Sequence, residues 1–233
     1  MARALRKKIF VTLNMASTID GKIAPARRGF VKLGSAYDSQ RMGEIRAEAD
    51  CVVMGARTFL AYPKPLKLNQ PKLVKARIRK GEAAEPVTVV ISSRLDIPRN
   101  TPFELAKDFP RIIFTSEKAP HAARARLEKN GVHVIVAPGT RPQSKFILNS
   151  LALLGFQRIL LEGGGELNSG FFEADLVDRI YLTLCPSLLG GSEAPTIFEG
   201  KGFLDVEKRS QWKLHSCVRK KDELYLIFDR KRS

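Results

Sequence analysis

The sequence predicts an α/β fold: a mostly parallel central sheet, helices on both faces and an antiparallel C-terminal hairpin. Two observations predict it. Short runs at 51–54 and 159–161 are apolar at consecutive positions, and 87–91 is near-continuously β-branched, as in strands buried on both faces. Helical segments at 120–130 and 144–154 lie between such runs, and each is stopped by a glycine, Gly131 or Gly155. Repeated strand–helix–strand units build parallel sheets.

In chain order, 9–15 reads as the first strand. A helix at 37–49 puts Met42, Ile45 and Ala49 on one face. After the strand at 51–54, Gly55 opens a short helix through Leu60. Residues 62–86, rich in Pro and Lys, show no sustained period and read as a long mobile excursion. Strands follow at 87–91 and 111–115, then the helix at 120–130, a strand at 132–136 and the helix at 144–154. The strand at 159–161 feeds a helix at 167–174. A long strand at 176–185 ends at Pro186. Residues 212–218 and 223–228 form a hairpin around 219–222. No linker divides the chain, so residues 1–233 are expected to form one domain.

With 233 residues, 44% of them hydrophobic, the chain is long enough for a sizeable core. It lacks the apolar run of about 18 residues that a membrane span needs. Residues 1–8 read as a basic leader into the first strand. Cys51, Cys185 and Cys217 are widely spaced, and the three histidines show no ligand spacing. A reducing cytoplasm and no metal are therefore expected. Forty Lys and Arg against 24 Asp and Glu give a net charge of +16, which favours anionic partners. Phe10, Phe114, Phe146 and Phe228 sit in apolar runs rather than among basic residues. That favours a phosphorylated small molecule or a dinucleotide over nucleic acid.

The stretch from Leu160 to Asn168 is the most informative. A strand meets Gly163, Gly164 and Gly165, and a helix follows. In that order backbone N–H groups converge on an anion, and a missing Cβ lets the ligand approach. An ordinary tight turn would read the same way. In parallel sheets, ligands bind beyond the carboxyl ends of the strands. That rule collects Asp20 and Lys22, Gly55 and Thr58, Ser92 and Ser93, and Glu162 to Gly165.

Four segments stand in order: Thr18-Ile19-Asp20-Gly21-Lys22, Val53-Met54-Gly55-Ala56-Arg57-Thr58, Ile91-Ser92-Ser93-Arg94 and Glu162-Gly163-Gly164-Gly165-Glu166-Leu167. The set resembles the pyrimidine reductases of riboflavin biosynthesis. These are the reductase domain of the bifunctional deaminase/reductase and its stand-alone counterparts. The resemblance covers nearly the whole chain. It implies a dihydrofolate reductase-like fold and NADPH-dependent reduction of a ribosylaminopyrimidine 5′-phosphate to its ribityl form. It further implies that Gly55, Thr58, Ser92, Ser93, Arg94, Gly163, Gly164, Gly165 and Leu167 hold the cofactor. Asp20, Ser35, Arg46 and Glu162 would face substrate, with Ser35 or Asp38 alternatively capping the helix at 37–49. Lys22 would be the proton donor or electrostatic partner, with Glu162 assisting. The family is usually a homodimer, and the strand at 176–185 is a candidate for pairing across a two-fold axis.

The sequence departs from the pattern at one place. Ala61 and Tyr62 stand where the resemblance leads one to expect acids, and Lys64 or Lys67 is left to meet the substrate phosphate. The zinc-binding residues of the deaminase half are absent, which implies that another gene supplies that step. Two other readings stay open. A pterin reductase would use an acid in the helix before Cys51, where Asp38, Glu44 and Glu48 stand. A degenerate relative would bind NADPH and catalyse nothing.

Overall fold

The structure is a computed structural model that describes residues 9–27, 29, 31–205, 207 and 210–231. The basic leader at 1–8 lies outside them. In chain order the elements are β1 (Phe10–Thr18), α1 (Ala36–Glu48), β2 (Cys51–Gly55), α2 (Ala56–Ala61), α3 (Pro71–Arg79), β3 (Val87–Ile91), α4 (Pro102–Leu105) and β4 (Arg111–Ser116). They continue with α5 (His121–Lys129), β5 (His133–Ala137), α6 (Ser144–Leu153), β6 (Arg158–Leu161), α7 (Gly165–Glu173), β7 (Arg179–Cys185), β8 (Trp212–Lys220) and β9 (Glu223–Arg230).

The strands form one sheet in the order β5-β4-β3-β2-β6-β1-β7-β9-β8. The first seven run parallel, and β9 and β8 are antiparallel. Consecutive apolar residues are needed because both faces are covered. Val53 packs into one core with Leu151 of α6 and Phe171 of α7. Val52 and Met54 pack into the other with Ile45 of α1, Phe59 of α2 and Leu127 of α5. Each such fully buried side chain contributes roughly 1.5–3 kcal/mol.

Three expectations need correction. First, the 62–86 segment docks. Pro71 starts α3, where a missing N–H costs nothing. Arg77, in the last turn of this helix, is buried. Its Nη1 donates to Ala47 O (2.8 Å) and Ala49 O (2.7 Å) and its Nε to Ala83 O (2.8 Å), so it closes the end of α1. Second, the strand at 176–185 begins only at Arg179, and Asp178 Oδ2 instead accepts from Val11 N–H at 2.9 Å. Third, that strand is no free edge: β7 lies between β1 and β9. The hairpin strand β8 takes the edge.

Candidate active site

β6 inserts between β1 and β2, so Glu162 and the three glycines emerge at the middle of the sheet. There a cleft of ≈ 2020 Å³ opens along the carboxyl ends of β1, β2, β3 and β6. A single small-molecule site takes about 300–1,000 Å³. This cleft is large enough for two ligands side by side, and its two ends differ in chemistry.

One end is built on α1. Arg46 donates from Nε to Glu162 Oε1 and from Nη2 to Glu162 Oε2, both at 2.6 Å, and the two side chains are about nine-tenths buried. Burial opposes the guanidinium's charge, but Glu162 outweighs it and holds the Arg46 pKa above its ordinary value. Arg46, expected to face substrate, thus has a buried partner in Glu162. Asp38, one turn into α1, lines the same end and accepts from Thr183 Oγ1 at 2.6 Å. Its pKa is raised, chiefly by burial.

The other end is cationic and open. Arg57, Arg94, Arg141 and Lys145 line it with Thr58, Ser92 and Ser93. Glu166, in the first turn of α7, pairs with Arg57 at 3.0 Å and lies 3.9 Å from Arg141, so its charge is more than offset. Gly55 lines the cleft too. A Cβ there would come no nearer than 3.7 Å to protein, so it would fill ligand space. Cations, hydroxyls and an open glycine suit the phosphates of a dinucleotide.

The glycines are in place for mixed reasons. Gly164 and Gly165 line the cleft, but a Cβ on Gly165 would meet Thr196 O at 2.5 Å. Protein packing therefore demands that glycine. Gly163, φ +84°, is buried under Met15, and its carbonyl accepts from Gly55 N–H at 2.8 Å. Leu167 lines the cleft.

Asp20, Lys22 and Ser35 are not among the lining residues. Asp20 accepts from Thr18 Oγ1 (2.6 Å), Gly190 N–H (2.7 Å) and Leu189 N–H (3.2 Å), which hold its pKa down at about 2. Lys22 Nζ donates to Ala194 O at 3.0 Å, and its backbone bridges Thr196. Both side chains fasten the turn after β1 to the loop after β7. Ser35 caps α1 and donates to Glu223 from Oγ (2.6 Å) and N–H (2.7 Å). Of the two lysines considered for the phosphate, Lys67 lines the cleft, whereas Lys64 sits over the Tyr62 ring. Arg141 and Lys145 were missed. They follow β5, so the same carboxyl-end rule would have found them. Among the described residues no group of three His, Cys, Asp or Glu is placed to hold a metal. No helix there is long and apolar enough to cross a membrane.

Residues 9–225 match the family described as the RibD C-terminal domain. The chain belongs to that family. It is 34% identical over 195 residues to the 2,5-diamino-6-ribosylamino-4(3H)-pyrimidinone 5′-phosphate reductase of Methanothermobacter thermautotrophicus, covering 83% of this chain and 85% of the relative. It is 26% identical to the riboflavin biosynthesis protein RibD of Bacillus amyloliquefaciens, spanning 85% of this chain and 51% of that protein. A pyrimidine reductase-like protein of Corynebacterium diphtheriae superposes with a TM-score of 0.85 at 19% identity, over 97% of this chain and 93% of that one. The dihydrofolate reductase-like fold of RibD reductase domains is therefore this chain's fold.

Proposed function

We propose that this chain reduces the ribosyl side chain of a ribosylaminopyrimidine 5′-phosphate to the ribityl form, with NADPH as reductant. The observation that carries the reading is the likeness to an archaeal reductase across most of both chains. The cleft supports it. The fork of Arg46 and the carboxylate of Glu162 present donors and acceptors suited to the edge of a pyrimidine. Lys67 is a point charge for the phosphate.

When bound, the cofactor supplies hydride to an electrophilic carbon. The protein's part is position and charge. Thr58, Gly164 and the cations Arg57 and Arg141 would hold its pyrophosphate; Ser92, Ser93 and Arg94 would hold the adenosine end, where a guanidinium suits a 2′-phosphate. Lys22 and Asp20 act on this site through the loop they anchor, whose Pro195 lines the cleft. A cytoplasmic homodimer completes the reading. Its pairing surface is the open edge of β8, where Leu214 and Val218 are exposed.

The test is NADPH oxidation by the purified chain with the ribosylaminopyrimidine phosphate, and with dihydrofolate in a parallel cuvette. The second substrate is included because Asp38 does line the cleft from α1. Turnover of the first substrate is expected. Turnover of dihydrofolate alone would move the chain to the pterin reductases.

A further inference from the structure

We propose that Asp38 is the acid that protonates the ribosyl ring oxygen of the substrate. This rests on the ribosyl-reductase reading above. Ser35 is the N-cap of α1 and Asp38 its third helical residue. An acid there ordinarily reaches back to the N–H of the capping residue. Here that N–H is already taken: Ser35 N–H donates to Glu223 Oε1 at 2.7 Å. Ser35 Oγ meanwhile caps the helix by accepting from Asp38 N–H at 3.4 Å. Glu223 thus performs the back-bond from β9, and the Asp38 carboxyl is released toward the cleft.

The released carboxyl is fixed from two further sides. Thr183 Oγ1 on β7 donates to Oδ1 at 2.6 Å. Oδ2 lies over Gly34, where a Cβ would stand only 2.2 Å away, so Gly34 makes room for this oxygen. Asp38 shares the cleft wall with Arg46, two turns on along α1. Helical side chains lean toward the N-terminus. Asp38 leans the same way from eight residues earlier, about 12 Å along α1, so a pyrimidine bound at Arg46 and Glu162 with its sugar toward the N-terminal end of α1 would meet the Asp38 carboxyl.

Burial, more than the charges around it, favours the protonated acid. Burial raises the Asp38 pKa most, the Thr183 bond lowers it, Glu223 raises it, and Arg41 and Lys32 lower it; the net direction is up. Cys185 of β7 and Tyr225 of β9 also face this group, and burial keeps both in their neutral forms. An acid raised toward working pH is a better proton donor than an ordinary aspartate.

The step balances. The C1′–O4′ bond of the ribosylamine breaks and its electron pair stays on O4′, which takes the Asp38 proton. The amino nitrogen's lone pair forms a C1′=N bond. C1′ then accepts the hydride, and the π pair returns to nitrogen. Asp38 regains a proton from water, so one hydride and one proton are added in total.

The experiment compares the full chain with Asp38→Asn, Asp38→Glu and Thr183→Val. Ring opening needs no reductant, so the first readout is anomer interconversion of the ribosylaminopyrimidine phosphate without NADPH, followed by NMR. The wild type should accelerate it and Asp38→Asn should not. With NADPH, Asp38→Asn should lower kcat by about 10²–10⁴-fold with little change in KM, and Asp38→Glu should recover part of it. In the wild type, kcat should fall at high pH as the acid loses its proton. That limb should vanish in Asp38→Asn. It should move to higher pH in Thr183→Val, which removes a bond favouring the carboxylate. Unchanged kcat and an unchanged alkaline limb in Asp38→Asn, with an active wild type, would overturn this role alone. If the Asn variant does not fold, an unmoved limb in Thr183→Val would overturn it instead. A wild type inactive on this substrate would overturn the role and the function reading together.

Discussion

The two ends of the cleft are built on opposite plans. At the α1 end, charged groups are drawn out of water and partnered, Arg46 with Glu162 and Asp38 with Thr183, and beside them Glu223 holds Ser35. At the α7 end, Arg57 and Arg141 are well exposed, and their shared acid, Glu166, is half-exposed. A buried charge needs its partner, so the first end is tied to the stability of the fold. Exposed cations are screened and replaceable, so the second end governs affinity and its salt dependence. Substitutions should therefore separate cleanly by end.

The largest effect is expected from Glu162→Ala. Loss of one member of a buried pair costs about 3–5 kcal/mol. Urea unfolding should show that loss, and reductase activity should vanish at the same time. Glu162→Gln should keep more stability than Ala while still losing activity. An unfolding midpoint that stays put in Glu162→Ala would break the contrast between the two ends.

Next comes Glu223→Ala. It strips Ser35 N–H of its acceptor, a loss of about 1–3 kcal/mol. Burial tends to raise the Glu223 pKa, but hydrogen bonds from Ser35 and Tyr225 outweigh it, and the net direction is down. A lowered carboxylate stabilises the fold above its ordinary value of 4.5 and loses that contribution as pH falls through the lowered value. Acid unfolding of the variant should lack this dependence.

Arg94→Ala tests the open end. Its unfolding free energy should stay within about 0.5 kcal/mol of wild type. Its Kd for NADPH should rise about tenfold, since a charge-assisted bond is worth about 1.5–3 kcal/mol. NADH binding should hardly change. Equal weakening for both cofactors would place Arg94 away from the 2′-phosphate.

The smallest effect belongs to Asp20→Asn. This carboxylate is fully exposed, and its pKa of about 2 comes first from the Thr18 hydroxyl and then from Gly190 N–H. Its hold on the loop after β7 is present above 3.8 and lost as pH falls toward about 2. Hydrogen exchange at Leu189 and Gly190 should quicken in Asp20→Asn at neutral pH with little change elsewhere.

The fold was legible where burial is local. The apolar and β-branched runs of β2, β3 and β6 announce a covered sheet, and Gly131 and Gly155 mark helix ends. Strand order was not legible, because whether β7 lies at an edge depends on where β9 returns. Helix α3 was hidden because its buried side chain is an arginine, and only the distant carbonyls of Ala47 and Ala49 reveal why. In the site, position was legible and reason was not. Gly165 sits where a ligand turn was expected, yet it is glycine to clear Thr196 O. Lys22 follows its strand as expected, yet it binds Ala194 O. Asp38 looked like a cap because the residue that frees it, Glu223, lies at the far end of the chain.

The most direct test of the central claim is to run the reaction with NADPH deuterated at the nicotinamide C4 and to locate the label in the product. Deuterium at the ribityl C1′ is the expected result. Label in the pyrimidine ring, or NADPH bound with no labelled product, would contradict it.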